Sequence, residues 1–219
     1  MANPITIRRR LVIAGFTPIS EGLTPEELAA HMSEYFEGLI ETIHRHGGEV
    51  NQLLGDGALS FWGAPRHNPD HATQAVEAAL EFKALLAELN SDWHARGKPA
   101  LPTRFGMNTG EVMVGNVGSK SRIAYSAVGD AVNVASRIEG INKFYGTTIL
   151  ASGRVRDGDT DDRFEWRHVD SVRAKGKPSR SSCLNHLVSR ATYRQTYAPL
   201  GMLTNKGWIF TGRHSSLNV

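Results

Sequence analysis

The run AVGDAVNVASRIEG, at positions 127–140, decides how this chain is interpreted. Asn133 and Arg137 lie four residues apart in it, so a helix places both side chains on one face. Asp130 suits the N-terminal cap, and Gly129 permits a sharp entry. The packing surface behind the pair comes from Val132, Ala135, Ser136 and Ile138. We predict a helix that buries one face and presents an amide and a guanidinium on the other.

That polar pair suits a pentavalent phosphate. Both side chains donate hydrogen bonds, and the arginine adds a permanent positive charge. The run resembles the signature helix of class III nucleotide cyclases, the family that makes cyclic AMP or cyclic GMP. The resemblance implies that Asn133 and Arg137 are catalytic and stabilise the transition state. An isolated pair of this kind more often lies only on the solvated face of a capped helix, but further segments similar to the family follow in the expected order.

A second segment, GGEVNQLLGDGALSFWGAP at positions 47–65, predicts a β-hairpin with Asp56 at its tip. By itself, Asp56 could simply favour the turn. The segment is similar to the cyclase hairpin whose aspartate binds two Mg²⁺ or Mn²⁺ ions. Two such ions can stabilise both the entering and the leaving oxygen of a phosphoryl transfer. The resemblance therefore assigns Asp56 to the metal site.

The family places its second metal-binding aspartate just before a Gly-Phe-Thr turn, and this chain departs there. The turn is Gly15, Phe16 and Thr17, and the resemblance implies that it cradles the phosphates of the nucleotide. The position of the aspartate is occupied by Val12. A valine side chain cannot bind a hard cation, so we expect cyclase activity to be weak or lost.

Three further positions resemble nucleotide-binding residues of the family. Gln52 and Ser126 occupy the places of the pair that reads the base, and they match neither the usual adenylate nor the usual guanylate cyclase pair. An amide at position 52 retains a donor, so ATP is favoured over GTP. Lys175 matches a lysine that binds the triphosphate, although lysines in glycine-rich loops are commonly only solvated.

The resemblance implies an α+β fold, with a ferredoxin-like βαββαβ core and a largely antiparallel sheet. The patterns predict strands at 11–13, 50–54, 58–62 and 147–151, and a helix at 71–93. They also predict a hairpin made by 104–108 and 111–117, which turns at Thr109 and Gly110. We assign residues 11–178 to the cyclase domain, 1–10 to a basic N-terminal segment and 179–219 to an irregular C-terminal tail.

Both ends depart from the family pattern. Arg8, Arg9 and Arg10 stand where a central strand should be apolar, and serines and an arginine at 179–182 replace an alternating strand. We hypothesise that truncation, frameshift or drift has altered both ends relative to a working cyclase, while residues 14–177 retain the domain.

Composition places only broad limits on function. The chain has 219 residues, 40% of them hydrophobic, and a formal net charge of +3, which fits one globular domain without a strong preference for nucleic acid. Cys183 is the only cysteine, so no internal disulfide can form, and we expect a cytoplasmic location. We expect neither a signal peptide nor a membrane span.

The predicted function is a nucleotide cyclase of intracellular signalling. It converts ATP, and less favourably GTP, to a 3′,5′-cyclic monophosphate and pyrophosphate. The family completes each site from two subunits, so we expect a homodimer, or a heterodimer with an intact cyclase chain. The alternative is a catalytically degenerate, nucleotide-binding or dimerising regulatory module. A diverged nucleotidyl transferase or polymerase palm shares the same metal chemistry, but it fits the signature helix less well.

Overall fold

A computed structural model describes residues 3–119, 122–172 and 182–188 of the chain. The elements follow one another as β1 (Asn3–Ile13), α1 (Phe16–Glu21), α2 (Pro25–Arg45), β2 (Glu49–Leu54), β3 (Gly57–Trp62), α3 (His71–Ala95), β4 (Thr103–Ser119), β5 (Arg122–Val128), α4 (Asp130–Tyr145), β6 (Ile149–Ser152), α5 (Gly153–Arg156), β7 (Glu165–Val172) and β8 (Ser182–Val188).

One sheet organises the domain. Its strand order is β2-β3-β1-β4-β6-β8-β7, and β5 pairs with the far half of β4. The β4–β6 pair is parallel, and the other pairs are antiparallel. The succession β1-α2-β2-β3-α3-β4-α4-β6 confirms the expected α+β fold with a βαββαβ core.

The main core lies between the sheet and the helices α2 and α3. Leu11 and Ile13 of β1 are buried there with Tyr35 of α2 and Phe82 of α3. Alternation along β1 directs the intervening Val12 to the opposite face, which α4 covers. A smaller cluster that includes Ile138 of α4 packs on that second face. The main core and the candidate site therefore lie on opposite faces of the sheet.

The start of α2 follows from its local sequence. The Thr24 hydroxyl accepts a hydrogen bond from the Glu27 amide at 3.2 Å, and the Glu27 carboxylate accepts one from the Thr24 amide at 2.9 Å. This is a capping box, with Pro25 at the first helical position. A four-residue motif thus fixes the helix start.

The predicted hairpin at Thr109 and Gly110 is wrong. Both residues lie inside the single long strand β4, where Thr109 pairs with Ile7 and Gly110 pairs with Thr6. The strand β1 is longer than the predicted 11–13, so it offers backbone partners across the expected turn. The chain reverses later, between β4 and β5, and residues 127–128 belong to β5 rather than to the signature helix.

Parts of both end segments belong to the sheet. Residues 3–10 continue β1 between β3 and β4. The strand β8 forms within the segment expected to be irregular, and it pairs with β6 and β7. The long-range pairing of these strands outweighs their unfavourable local pattern.

Candidate active site

The entry to α4 is set by Gly129, which occupies the N-cap position. Asp130, expected to be the cap, instead lies in the first helical turn, and Gly129 at the N-cap has no side chain to cap the helix. A Cβ at Gly129 would lie 3.0 Å from the Val112 side chain and 3.2 Å from the Glu111 carbonyl oxygen. The close approach of β4 therefore favours glycine here, while an acidic side chain in the first turn suits the positive end of the helix dipole.

The helix α4 packs with its backbone directly on β4. A Cβ at Gly106 would come within 2.3 Å of both the Ala135 carbonyl oxygen and the Glu139 amide nitrogen. On the same helix, Asn133 is exposed and Arg137 is half-buried. Their spacing along a continuous helix puts them on one face. The predicted polar pair is thus held on a helix with no room to shift towards the sheet.

Two asparagines fix α4 along the sheet. The Asn108 side chain of β4 donates to the Ala131 carbonyl at 3.1 Å. The Asn142 side chain of α4 donates to the Phe105 carbonyl at 3.0 Å. Both asparagines are buried, and each side chain donates to a backbone oxygen rather than being left without a partner. We did not predict these bonds; the available signal was a polar residue within an apolar pattern, of β4 for Asn108 and of α4 for Asn142.

The β2–β3 turn holds Asp56 against the end of β1. The Ile13 amide donates to the Asp56 carbonyl oxygen at 2.7 Å. A Cβ at Gly57 would lie 2.0 Å from the Leu11 carbonyl oxygen, so only glycine permits this approach. Val12 pairs directly with Gly57. The structure therefore brings position 12 and half-buried Asp56 together, as a shared site requires.

The donors at this point do not fit the two-ion centre that the resemblance implies. Val12 supplies no ligand, and its cross-strand partner on β4 is Arg104, a cation. Arg104 in turn pairs with Glu139 of α4, with 3.3 Å between nitrogen and carboxylate oxygen. Across the described residues, no group of three or more His, Cys, Asp or Glu side chains could hold a metal ion. Asp56 offers a single carboxylate.

The predicted phosphate turn leads into the short helix α1. Gly15 has φ 70° and ψ 31°, a left-handed conformation that favours glycine. Just before it, the Ala14 amide donates to the Pro102 carbonyl at 2.6 Å. Phe16 and Thr17 begin the helix, and first-turn amides lack carbonyl partners within a helix. The turn therefore presents donors immediately after the end of β1.

Gln52 and Ser126 lie on β2 and β5, two strands that contact each other. Gln52 is exposed on β2, and Ser126 is half-buried on β5. Their chain neighbours are joined, because the Asn51 side-chain oxygen accepts a hydrogen bond from the Ala127 amide at 2.9 Å. We did not predict a role for Asn51. Lys175 lies outside the described residues.

An α+β domain with this strand order, a polar pair on α4 and an aspartate in the β2–β3 turn has the architecture of a nucleotide cyclase catalytic domain. Residues 11–190 match the adenylate and guanylate cyclase catalytic domain family, and the chain belongs to that family. Enzymes of that family are phosphorus–oxygen lyases. Cyclase domains of this family bind nucleotides, work as dimers and generally depend on divalent cations.

Named relatives agree with this assignment. The chain is 45% identical to adenylate cyclase 1 of Rhizobium meliloti over 165 residues. This aligned region covers 75% of this chain and 25% of that protein. The chain is 33% identical over 171 residues to an adenylate cyclase of Anabaena cylindrica, covering 75% of this chain and 33% of that protein. The chain thus spans about a third or less of these relatives.

Solved structures agree as well. The crystal structure of the guanylyl cyclase Cya2 superposes with a TM-score of 0.76 at 35% identity, covering 86% of this chain and 92% of that chain. The adenylyl cyclase CyaB from P. aeruginosa gives 0.78 at 26% identity, covering 88% and 98%. No helix among the described residues is long and apolar enough to cross a membrane.

Proposed function

We propose that this chain is a nucleotide cyclase domain that binds ATP, in preference to GTP, and forms the 3′,5′-cyclic monophosphate with lowered turnover. The observation that carries the proposal is α4, which packs on Gly106 and carries Asn133 and Arg137 on one face. Packing against the backbone fixes the helix, so the amide and guanidinium need little reorganisation when charge develops on phosphorus.

The reaction is an intramolecular displacement. The ribose 3′ oxygen bonds to the α-phosphorus, the bond from that phosphorus to the bridging oxygen breaks, and pyrophosphate leaves with the electron pair. The 3′ hydroxyl proton passes to solvent. Arg137 donates hydrogen bonds to the oxygens of the pentavalent phosphorus, and Asn133 orients the reacting ribose and phosphate. Amides of Gly15, Phe16 and Thr17, together with Lys175, hold the triphosphate.

The single carboxylate at Asp56 supports lowered turnover. A divalent cation would neutralise the triphosphate and activate the attacking oxygen, and Asp56 would be its protein ligand. With Val12 in place of a second carboxylate, a cation is held more weakly. We therefore expect nucleotide affinity to survive better than the rate of the chemical step, because phosphate contacts act already in the ground state.

The preference for ATP is proposed from Gln52 and Ser126. The carboxamide of Gln52 both donates and accepts, and the Ser126 hydroxyl does the same, so together they can read the adenine edge. Guanine recognition would favour a carboxylate at position 52. Because neither residue carries a charge, we expect only modest discrimination between the two bases.

The active unit is proposed to be a two-fold dimer, with Asp56 of one chain facing Asn133 and Arg137 of the other. Support comes from the β4–β5 arm, defined here as residues 113–119 and 122–128. It carries exposed apolar side chains, among them Met113 at 54% and Ile123 at 63%. A two-stranded arm with exposed apolar side chains on both faces is stabilised when a second copy covers it.

Binding and complementation test this proposal. Calorimetry with a non-hydrolysable ATP analogue and Mn²⁺ should show binding that Arg137→Ala weakens by about tenfold, the loss of one charge-assisted contact. In the Val12→Asp background, mixing Asp56→Ala with Arg137→Ala chains should give more product than either chain alone. One cleft of each heterodimer then keeps every residue.

The competing function is a non-catalytic regulatory module, and Val12 is the observation that favours it. A folded, dimeric chain that binds no nucleotide at millimolar concentration would replace the cyclase proposal with this one. If the chains bind nucleotide but show no complementation, the proposal of a cleft shared between two subunits is refuted, and the proposal of nucleotide binding stands.

A further inference from the structure

The edge strand β2 contains a bulge centred on Asn51. Val50 pairs with Ser60 and Gln52 pairs with Leu59, so Asn51 has no partner residue of its own on β3. A β-bulge locally bends a strand and redirects side chains. Here the half-buried Asn51 side chain crosses to β5, where its oxygen accepts the hydrogen bond from the Ala127 amide at 2.9 Å.

The hydrogen bond from the Ala127 amide to Asn51 joins two segments that carry candidate site residues. Ala127 directly follows Ser126 and lies three residues before Asp130, where α4 begins. Gln52 directly follows Asn51. One side chain thus connects the segment carrying Gln52 with the segment that carries Ser126 and leads to Asn133 and Arg137.

We propose that Asn51 is a positioning residue that sets nucleotide discrimination by fixing Gln52 relative to Ser126. The inference rests on the proposed function, in which those two side chains read the base. Asn51 itself touches no base. It acts because Gln52 is exposed on an edge strand at a bulge, where β3 holds the backbone on one side only. Without the bond, the two reading groups no longer keep one separation, and selectivity between ATP and GTP decreases.

A matched control separates positioning from general stability. Asn90 of α3 makes the same kind of bond, because its side-chain oxygen accepts from the Leu101 amide at 2.8 Å. It also is half-buried, and it lies outside the strands that carry the reading pair. Asn51→Leu and Asn90→Leu each remove one buried acceptor with little change in side-chain volume. Asn51→Asp retains an acceptor oxygen.

The experiment measures dissociation constants for methylanthraniloyl-ATP and methylanthraniloyl-GTP by fluorescence. Asn51→Leu should lower the preference for ATP by about threefold or more, a loss typical of one hydrogen bond. Asn51→Asp should keep the wild-type ratio, and Asn90→Leu should lower the melting temperature without altering the ratio. If Asn51→Leu does not fold, the shorter polar Asn51→Ser, which cannot reach Ala127, should show the same change in preference.

The outcomes are distinguishable. A wild-type chain that binds neither nucleotide would refute the proposed function and this inference with it. A wild-type chain that binds both, with the ATP to GTP ratio unchanged in Asn51→Leu or Asn51→Ser, would refute only the role of Asn51. An equal change of ratio in Asn90→Leu would also overturn it, because the effect would then be one of general stability.

Discussion

Restoring a carboxylate at position 12 should raise cyclase activity. Val12 lies beside Gly57, and the adjacent Ile13 amide bonds the Asp56 carbonyl at 2.7 Å, so Val12→Asp places a second carboxylate next to the first. Two-ion stabilisation of entering and leaving oxygens is worth several kcal/mol. If Val12→Asp restores about 3 kcal/mol of this transition-state stabilisation, kcat should rise about 100-fold.

The local charges allow this substitution. The new carboxylate has Arg104 of β4 as its cross-strand partner, and the Cβ atoms of such partners lie about 5 Å apart. The arginine attracts the new carboxylate, whereas Asp56 and the Glu139 carboxylate that already pairs with Arg104 repel it, so these charge terms oppose one another. The remaining cost is the lost burial of a half-buried valine, about 1 kcal/mol of unfolding free energy. We expect the variant to fold with a slightly lower melting temperature.

The assay quantifies cyclic AMP and cyclic GMP formed by purified chains with Mn²⁺. Val12→Asn matches the shape of aspartate without its charge, and it should leave activity near the wild-type level. Adding Asp56→Asn to Val12→Asp should abolish the gain. If Val12→Asp is folded and binds nucleotide, yet product formation rises by less than about threefold, then the missing carboxylate is not what limits this site.

Gly57→Ala should destabilise the fold by about 3 kcal/mol, because its Cβ would lie 2.0 Å from a backbone carbonyl oxygen of β1; an unchanged urea midpoint would contradict that contact. Met113→Glu should shift the chain from dimer to monomer in sedimentation, whereas Met113→Leu should not; a dimeric glutamate variant would exclude the arm as the interface. Burial lowers the pKa of His31, so protonation of the unfolded chain near pH 6.5 should reduce the unfolding free energy as pH falls from 7 to 5. His31→Leu should reduce that slope, and His71, whose pKa burial also lowers, accounts for a further part of it; an unchanged slope in His31→Leu would refute the assignment.

Local sequence was sufficient for the start of α2 and for one face of the site. The capping box of Thr24 and Glu27 specifies the start of α2, because its bonds join residues three positions apart. Asn133 and Arg137 share a face because helical periodicity is also local. The helix starts at Asp130, one residue earlier than a cap at Asp130 implies, and residues 127–128 of the run belong to β5. The expected roles of both residues remain predictions.

The tertiary structure decided what depends on strands distant in sequence. Thr109 and Gly110 looked like a turn, but pairing with the far end of β1 keeps them extended. The contact of position 12 with the Asp56 turn, and the link from Asn51 to Ala127, join segments that are 44 and 76 residues apart (56 − 12 = 44). Backbone pairing of that range is set by which strands become neighbours in the sheet, and a sequence period reports only the residues within one element.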